Sequence, residues 1–364
     1  MPRPFRMMRS AALAFLLVIR AAVCAAAGFS FVAMSDSRGA FKGVNAPVLR
    51  LLVEHALSRP GVRFIAFPGD MVNGGKVSAR RTRSELEEWR RVMAPAYESP
   101  VLAGLKVYPG IGNHEVYRFG GVAAFRKVFP ELPQNGPEGE EGLIYSFDHG
   151  NAHFVMLDTN QWEVEGRGRE QAWRKVRHLG WLRADLAAAR GRGLEHIFVF
   201  GHEPAFPVSA HHVGDGLPNV GWDDEFGKDP SFREERDAFW ALLKEFDAAA
   251  YVCGHEHANA IESVQGLHQI LAGGAGAPLY EFLPCAKGGE RYREMVPYYK
   301  ALGYPHGEGD NCQASADFWG SRSFGYFLIR IDGKAVTAEY WGVEPKDGSR
   351  TNLPKGAELR LMRS

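Results

Sequence analysis

"VRFIAFPGDMVNGG" occupies positions 62 to 75. Its first six residues are mostly apolar, aromatic or β-branched, and too few for a buried helix, so they read as a buried strand. The Pro-Gly pair ends that strand, and Asp70 is the first side chain beyond the turn. A lone Gly-Asp is ordinary turn vocabulary. The fold and the chemistry therefore depend on whether the pattern recurs.

It recurs four times. "FSFVAM" (29–34) runs into "SDSRG" with Asp36, and "LKVYPG" (105–110) into "GNHE" with Asn113 and His114. "HIFVF" (196–200) meets "GHEP" with His202, and "AAAYVC" (248–253) meets "GHEH" with His255 and His257. Between these strands lie amphipathic helical patterns. "APVLRLLVEHAL" puts Val48, Leu51, Leu52 and Ala56 on one face, and "LGWLRADLAAA" does so with Leu179, Leu182 and Leu186. Strands alternating with helices imply a mainly parallel sheet with crossover helices. "LIYSFDHGNAHFVMLDT" (143–159) reads instead as a hairpin, and "FGYFLIRI" and "AVTAEYWG" make the C-terminal part all-β. The expected outcome is a mixed α/β sandwich with helices outside. Stretches 204–230 and 281–320 read as long loops.

In parallel α/β sheets ligands bind beyond the carboxyl ends of the strands. Five such ends here deliver two carboxylates, one carboxamide and four imidazoles to one edge, the side chains that bind divalent transition metals. The glycines beside them are expected to let the backbone turn as each side chain is presented.

The ordered set resembles the calcineurin-like metallophosphoesterase superfamily, whose pattern is D-x-H, GD, GNH[ED], GH and GHxH; here it runs from Asp36 to His257. "YSFDHGNAHFVMLDT" and "LAGGAGAPLY" look like its exported, purple-acid-phosphatase-like branch. The resemblance implies a four-layer double β-sandwich flanked by helices, holding two divalent metal ions such as Mn, Fe or Zn. It makes Asp70 the bridging carboxylate, places Asn113, His202 and His255 at one ion, and Asp36 and His257 at the other. It makes His114, with Asn113, contact substrate phosphate, and makes His114 protonate the leaving group while metal-activated water attacks. The implied function is a phosphatase acting on a small-molecule phosphate ester. A phosphodiesterase or nucleotide pyrophosphohydrolase of the same fold is the alternative. One departure stands out: the second residue after the first Asp is Arg38 rather than His, and Asn73 stands where the purple enzymes have Tyr. The second metal position is thereby weakened to Asp36, Asp70 and His257, with the Asn73 carbonyl as a further donor. Arg38, a planar fork suited to phosphate oxygens, is expected to bind substrate. A non-catalytic metal-binding protein that has lost turnover through Arg38 is the reading from another class. Glu115 and Glu256 are expected to bond backbone or orient ligand imidazoles, and Asp158 to do the same or to be structural. His153 reads as a packed strand residue, His211 and His212 as solvated loop residues, and Trp173 and Trp181 as core.

Of 364 residues 45% are hydrophobic, ample for a core, and Lys+Arg and Asp+Glu are both 43, so no global field draws the chain to nucleic acid or an anionic membrane. The N-terminus carries Arg3, Arg6 and Arg9, then "AALAFLLVI", then "AAVCAAA". That order reads as a cleaved signal peptide over 1–27, with Ala25-Ala26-Ala27 as cleavage site and a periplasmic or secreted single domain over 28–364. The apolar run, closed by Arg20, is too short for a stable membrane span of about 30 Å. Export permits a disulfide, for which Cys285 and Cys312 are the expected pair, while Cys253 reads as a small buried residue.

Overall fold

The computed structural model describes residues 28–40, 43–74, 78–116, 120–160, 178–206, 231–280, 318–343 and 355–361, together with positions 176, 208 and 282. The chain begins with β1 (Phe29–Ala33), α1 (Ala46–Leu57), β2 (Val62–Pro68), α2 (Ala79–Val92), α3 (Ala94–Glu98), β3 (Val107–Gly110), α4 (Asn113–Val116) and α5 (Gly121–Val128). The hairpin β4 (Tyr145–His149) and β5 (Ala152–Met156) precedes α6 (Leu179–Gly191), β6 (His196–Phe200), α7 (Ser231–Glu245) and β7 (Ala250–Cys253). Strands β8 (Asn259–Val264), β9 (Leu267–Ala272), β10 (Phe318–Ser321), β11 (Phe324–Asp332), β12 (Ala335–Val343) and β13 (Lys355–Arg360) follow.

Two sheets result, ordered β13-β12-β11-β1-β2-β3 and β10-β8-β9-β7-β6-β5-β4. Strands β1, β2 and β3 are mutually parallel, as are β5, β6, β7 and β9, while β11 pairs antiparallel with β1. The all-β C-terminal part thus completes the first sheet. Alternate side chains of β1 decide the stacking. Phe31 points between the sheets and meets Phe154, Phe198 and Phe200 edge-on at 5.2, 5.0 and 6.1 Å, geometries that aromatic quadrupoles favour. On the outer side of the first sheet Trp89 of α2 meets Phe67 at 5.1 Å. Outside the second sheet, Phe239 of α7 meets Tyr251 at 5.3 Å, and Leu182 and Leu186 of α6 join the same buried cluster. The expected four-layer arrangement of helix, sheet, sheet and helix is what forms.

Details differ from the periodicity. The buried face of α1 is Val48, Leu49, Leu52, Val53 and Ala56, with Leu51 half-buried at its margin, because the helix packs against α2 and α3 as well as β11. Strand β3 starts at Val107 and β7 at Ala250, and β10 begins inside the stretch read as a loop. Trp181 is half-buried at the edge of the outer cluster rather than central to it. Cys253 is a buried free thiol. Residues 1–27, His211, His212, Trp173, Cys285 and Cys312 lie outside the described residues.

His153 is packed, as its alternation suggested, but it is also paired with charge. Its Nδ1 lies 2.6 Å from Asp148 Oδ1 and its Nε2 2.8 Å from Asp185 Oδ2, with Arg192 also bonded to Asp148. Burial alone would depress the imidazole pKa, but the two carboxylates outweigh it and raise it above 6.5. A raised folded-state pKa stabilises below the unfolded value and ceases to do so as pH rises through the folded one. His153→Gln is therefore expected to lower Tm most below about pH 6, with the gap to the parent narrowing as pH rises. Calorimetry across that range measures it; a gap independent of pH would refute the charged pairing.

Candidate metal centre

Three of the expected ligands sit in strained backbone. Asp36, Asp70 and His255 have φ of 63, 50 and 71°, each just past a strand. Such left-handed residues cost about 1–3 kcal/mol unless the surroundings hold them, and they gather at functional sites. Here the surroundings do hold them. Asp36 Oδ1 and Oδ2 accept the His255 amide at 3.1 and 3.0 Å. The Asp70 amide donates to Glu115 Oε2 at 3.0 Å, and the same carboxylate accepts from Gly112 N at 2.7 Å and Val72 N at 3.3 Å. Two hydroxyls that sequence reasoning passed over tie the first two loops together. Ser35 Oγ donates to Gly69 O at 2.9 Å, and Ser37 Oγ to Met71 O at 2.8 Å while accepting from Trp89 Nε1. Their only signal was adjacency to Asp36.

Besides turning the backbone, the glycines of the motifs make room for neighbouring side chains. Gly69 does turn, with φ of 92°. Gly112 and Gly254 matter for space: a Cβ on Gly112 would collide with Asp70 Oδ1, and one on Gly254 with Asp36 Oδ2.

Every expected ligand reaches one place. His202 Nε2 is 3.2 Å from Asp70 Oδ1 and 3.0 Å from Asn113 Oδ1. His255 Nδ1 is 3.3 Å from both Asn113 Oδ1 and His202 Nε2. On the other side, Asp36, Asp70 and His257 offer ligand atoms within 4.8 Å of one another, with His257 Nε2 3.7 Å from Asp36 Oδ1. The tautomers are set from behind. His202 Nδ1 donates to Pro68 O at 2.9 Å and His257 Nδ1 to Pro278 O at 2.7 Å; a carbonyl only accepts, so in both rings Nε2 is the atom left to face the site. Oxygen and nitrogen acceptors converging in buried surroundings fit two cations, with Asp70 common to both groups.

His114 stands beside them. Its Nδ1 donates to Asn73 O at 2.8 Å, its amide donates to Asp70 Oδ1 at 3.0 Å, and its Nε2 is 3.8 Å from Asp70 Oδ2. The main-chain carbonyl of Asn73 thus orients His114. Arg38 is half-buried and donates from Nη2 to the Tyr280 hydroxyl at 3.3 Å. Glu256 Oε2 accepts from Val208 N at 2.7 Å, anchoring the segment after β6. Asp158 Oδ1 accepts from the Asn160 amide and side chain, which closes a turn.

The charges strain against burial. Burial, opposed by His202 and aided by Asp70, pushes Asp36 up to about 7. Burial acts the same way on Asp70, but His202 and His114 outweigh it and hold that carboxyl well below its usual range. Burial would depress His202, yet Asp70 and Asp36 push it up to about 10. Burial with Asp70 pushes Glu115 up to about 8. His114 is lowered by burial, with Asp70 opposing and Arg38 assisting. A pocket that draws a proton onto His202 this strongly attracts any cation.

Residues 30–259 match the family model described as calcineurin-like phosphoesterase. A purple acid phosphatase from yellow lupin (Lupinus luteus) seeds is similar in structure, with TM-score 0.57 at 13% identity, over 92% of this chain but only 54% of that one. A dimetal phosphatase from Danio rerio gives 0.54 at 17% identity, covering 92% of this chain and 99% of the other. GAP50, the anchor in the inner membrane complex of Plasmodium, gives 0.56 at 12% identity over 93% and 90%. At such identities the structural likenesses speak for the fold alone. No curated protein matches the chain.

Proposed function

The chain belongs to the calcineurin-like phosphoesterase family, and on that premise we propose that it hydrolyses small phosphate esters with two divalent cations outside the cytoplasm. The observation that carries this reading is the double use of Asp70, which belongs both to the group with His202 and Asn113 and to the group with Asp36 and His257. In the proposal Asp70, Asn113, His202 and His255 hold one cation, and Asp36, Asp70 and His257 the other. When bound, two such cations would neutralise phosphate oxygens and lower the pKa of a water toward neutrality.

The remaining residues handle the ester. Nδ1–H of His114 is fixed on the Asn73 carbonyl, so Nε2 is the atom that carries the transferable proton. Burial lowers its pKa, which makes the protonated ring the stronger acid toward a departing oxygen. Arg38 adds a fixed positive charge beside Asp70 and His114. Export rests on the arginines, apolar run and alanines of 1–27; no helix of the described residues is long and apolar enough to cross a membrane.

The experiment is hydrolysis of an aryl phosphate and its diester by the mature chain, with Mn, Fe or Zn added and then chelated. Turnover of either ester, abolished by the chelator and restored by metal, is the expected result; none with any metal would sink the proposal. His114→Ala is expected to slow an alkyl phosphate about 100-fold or more and a nitrophenyl phosphate far less, because the better leaving group needs no proton. Equal losses on the two would remove His114 from the acid role.

A further inference from the structure

The segment "LAGGAGAPLY" (271–280) folds back over the loop that carries Asp36. Ala272 O accepts from Ser35 N at 2.8 Å, Ala275 N donates to Ser35 O at 2.9 Å, and Ala277 N donates to Asp36 O at 2.8 Å. Asn45 Nδ2 pins the middle of the segment through Gly276 O at 2.7 Å. Its last residues then reach His257. Pro278 O accepts from His257 Nδ1, and the Tyr280 amide donates to His257 O at 2.9 Å. The Tyr280 ring lies nearly parallel on the imidazole, centroids 4.1 Å apart at 21°. Arg322 Nε holds the Tyr280 carbonyl at 2.9 Å. Backbone, ring and carbonyl are all fixed, so the hydroxyl has a set position, and it accepts from Arg38 Nη2 at 3.3 Å.

This arrangement leaves the guanidinium without an ion pair among the described residues. Two carboxylates, Asp36 and Asp70, are near, yet among the described residues the Arg38 side chain bonds to a neutral phenol, and its Nε has no partner although buried. A carboxylate partner would fix the side chain more strongly but cancel its charge. A phenol positions it and leaves its fork of donors to an anion.

We propose that Tyr280 is a positioning residue that holds Arg38 beside the Asp36–Asp70–His257 half of the site as a clamp for a third phosphate oxygen, so that the enzyme prefers phosphate monoesters to diesters. The inference rests on the hydrolase reading above. A monoester presents three terminal oxygens and up to two negative charges, a diester two oxygens and one. Cations held at the site would neutralise two oxygens of either ester alike. The third oxygen of a monoester is charged and matches the guanidinium; in a diester it is esterified, uncharged and bulky.

The test uses the mature, metal-loaded protein and its Arg38→Ala, Arg38→Lys, Tyr280→Phe and double Arg38→Ala/Tyr280→Phe variants. Four quantities are measured: kcat/KM for 4-nitrophenyl phosphate, kcat/KM for bis(4-nitrophenyl) phosphate, the calorimetric Kd for inorganic phosphate, and metal content. Arg38→Ala is expected to lower kcat/KM about 100-fold on the monoester and under about 10-fold on the diester, the size of a lost charge-assisted bond. It is expected to weaken phosphate by about 30-fold, with metal content unchanged and Lys restoring part of the loss. Tyr280→Phe keeps the ring and is expected to cost the monoester about 10-fold, with the double variant no worse than Arg38→Ala, since Tyr280 acts through Arg38. Equal losses on both esters, or single losses that multiply in the double variant, would overturn the clamp. A parent that hydrolyses neither ester, with variants that lose phosphate affinity in the same order, would overturn the hydrolase reading while supporting the clamp.

Discussion

Asp70→Asn is expected to lower aryl phosphate turnover by about 10³-fold or more, some 4 kcal/mol of barrier, and to release both cations rather than one. The backbone is not the cause. Asp70 has φ of 50°, and Asn is among the few residues that enter the left-handed region readily. The substitution is also nearly isosteric, so the tight space beside Gly112 still accommodates it. What changes is charge. His202 is drawn to its high pKa first by Asp70, against burial, so the pull on any cation between His202, Asn113 and His255 falls with it. The other group, Asp36 with His257, retains one carboxylate where it had two. Elemental analysis alongside kcat, with circular dichroism as the fold control, measures the effect. Retention of one full metal equivalent would mean that the carboxylate is not shared, and the dimetal reading would fail with it.

Why this site was legible in the chain follows from where its residues lie. A buried parallel strand is a short apolar run, and its carboxyl end must be polar, so Asp36, Asp70, Asn113, His202 and His255 each announce themselves by abrupt contrast. The register between strands then brings the ends together without further sequence information. Other parts had no such contrast. The hairpin of β8 and β9 turns on Gln265 and Gly266, with φ of 51 and 80°, a two-residue turn in which Gln replaces the usual Asn or Asp. Its strands also hide their alternation, because Glu262 and Gln269 sit opposite each other, buried and bonded at 2.5 Å. Tyr280 was invisible for a different reason. Its part depends on 271–280 returning to residues more than two hundred positions earlier, and nothing local encodes that return. His153 shows the limit in the other direction: its burial was legible from alternation, but its two carboxylate partners were not.

Glu115→Ala should damage the protein most outside the ligand set itself. The side chain is buried and its carboxylate accepts from three amides, Asp70 N, Val72 N and Gly112 N. Those amides belong to two different strand-end loops, so one carboxylate fixes the distance between the loop of Asp70 and that of Asn113 and His114. Alanine would leave three buried N–H groups without that acceptor, at about 1–3 kcal/mol each, so a loss of about 3 kcal/mol or more is expected. Glu115→Gln keeps the length and one acceptor oxygen and should fall between. Because Asp70 is held in a left-handed conformation that its neighbours must maintain, the alanine variant is also expected to bind metal weakly even where it remains folded. Urea unfolding of apo protein separates the two effects: it reports the loss of stability without any contribution from cations, and metal titration of the folded fraction reports the loosened site. If apo stability were unchanged while metal binding collapsed, Glu115 would be acting on the cations directly rather than through the backbone it holds.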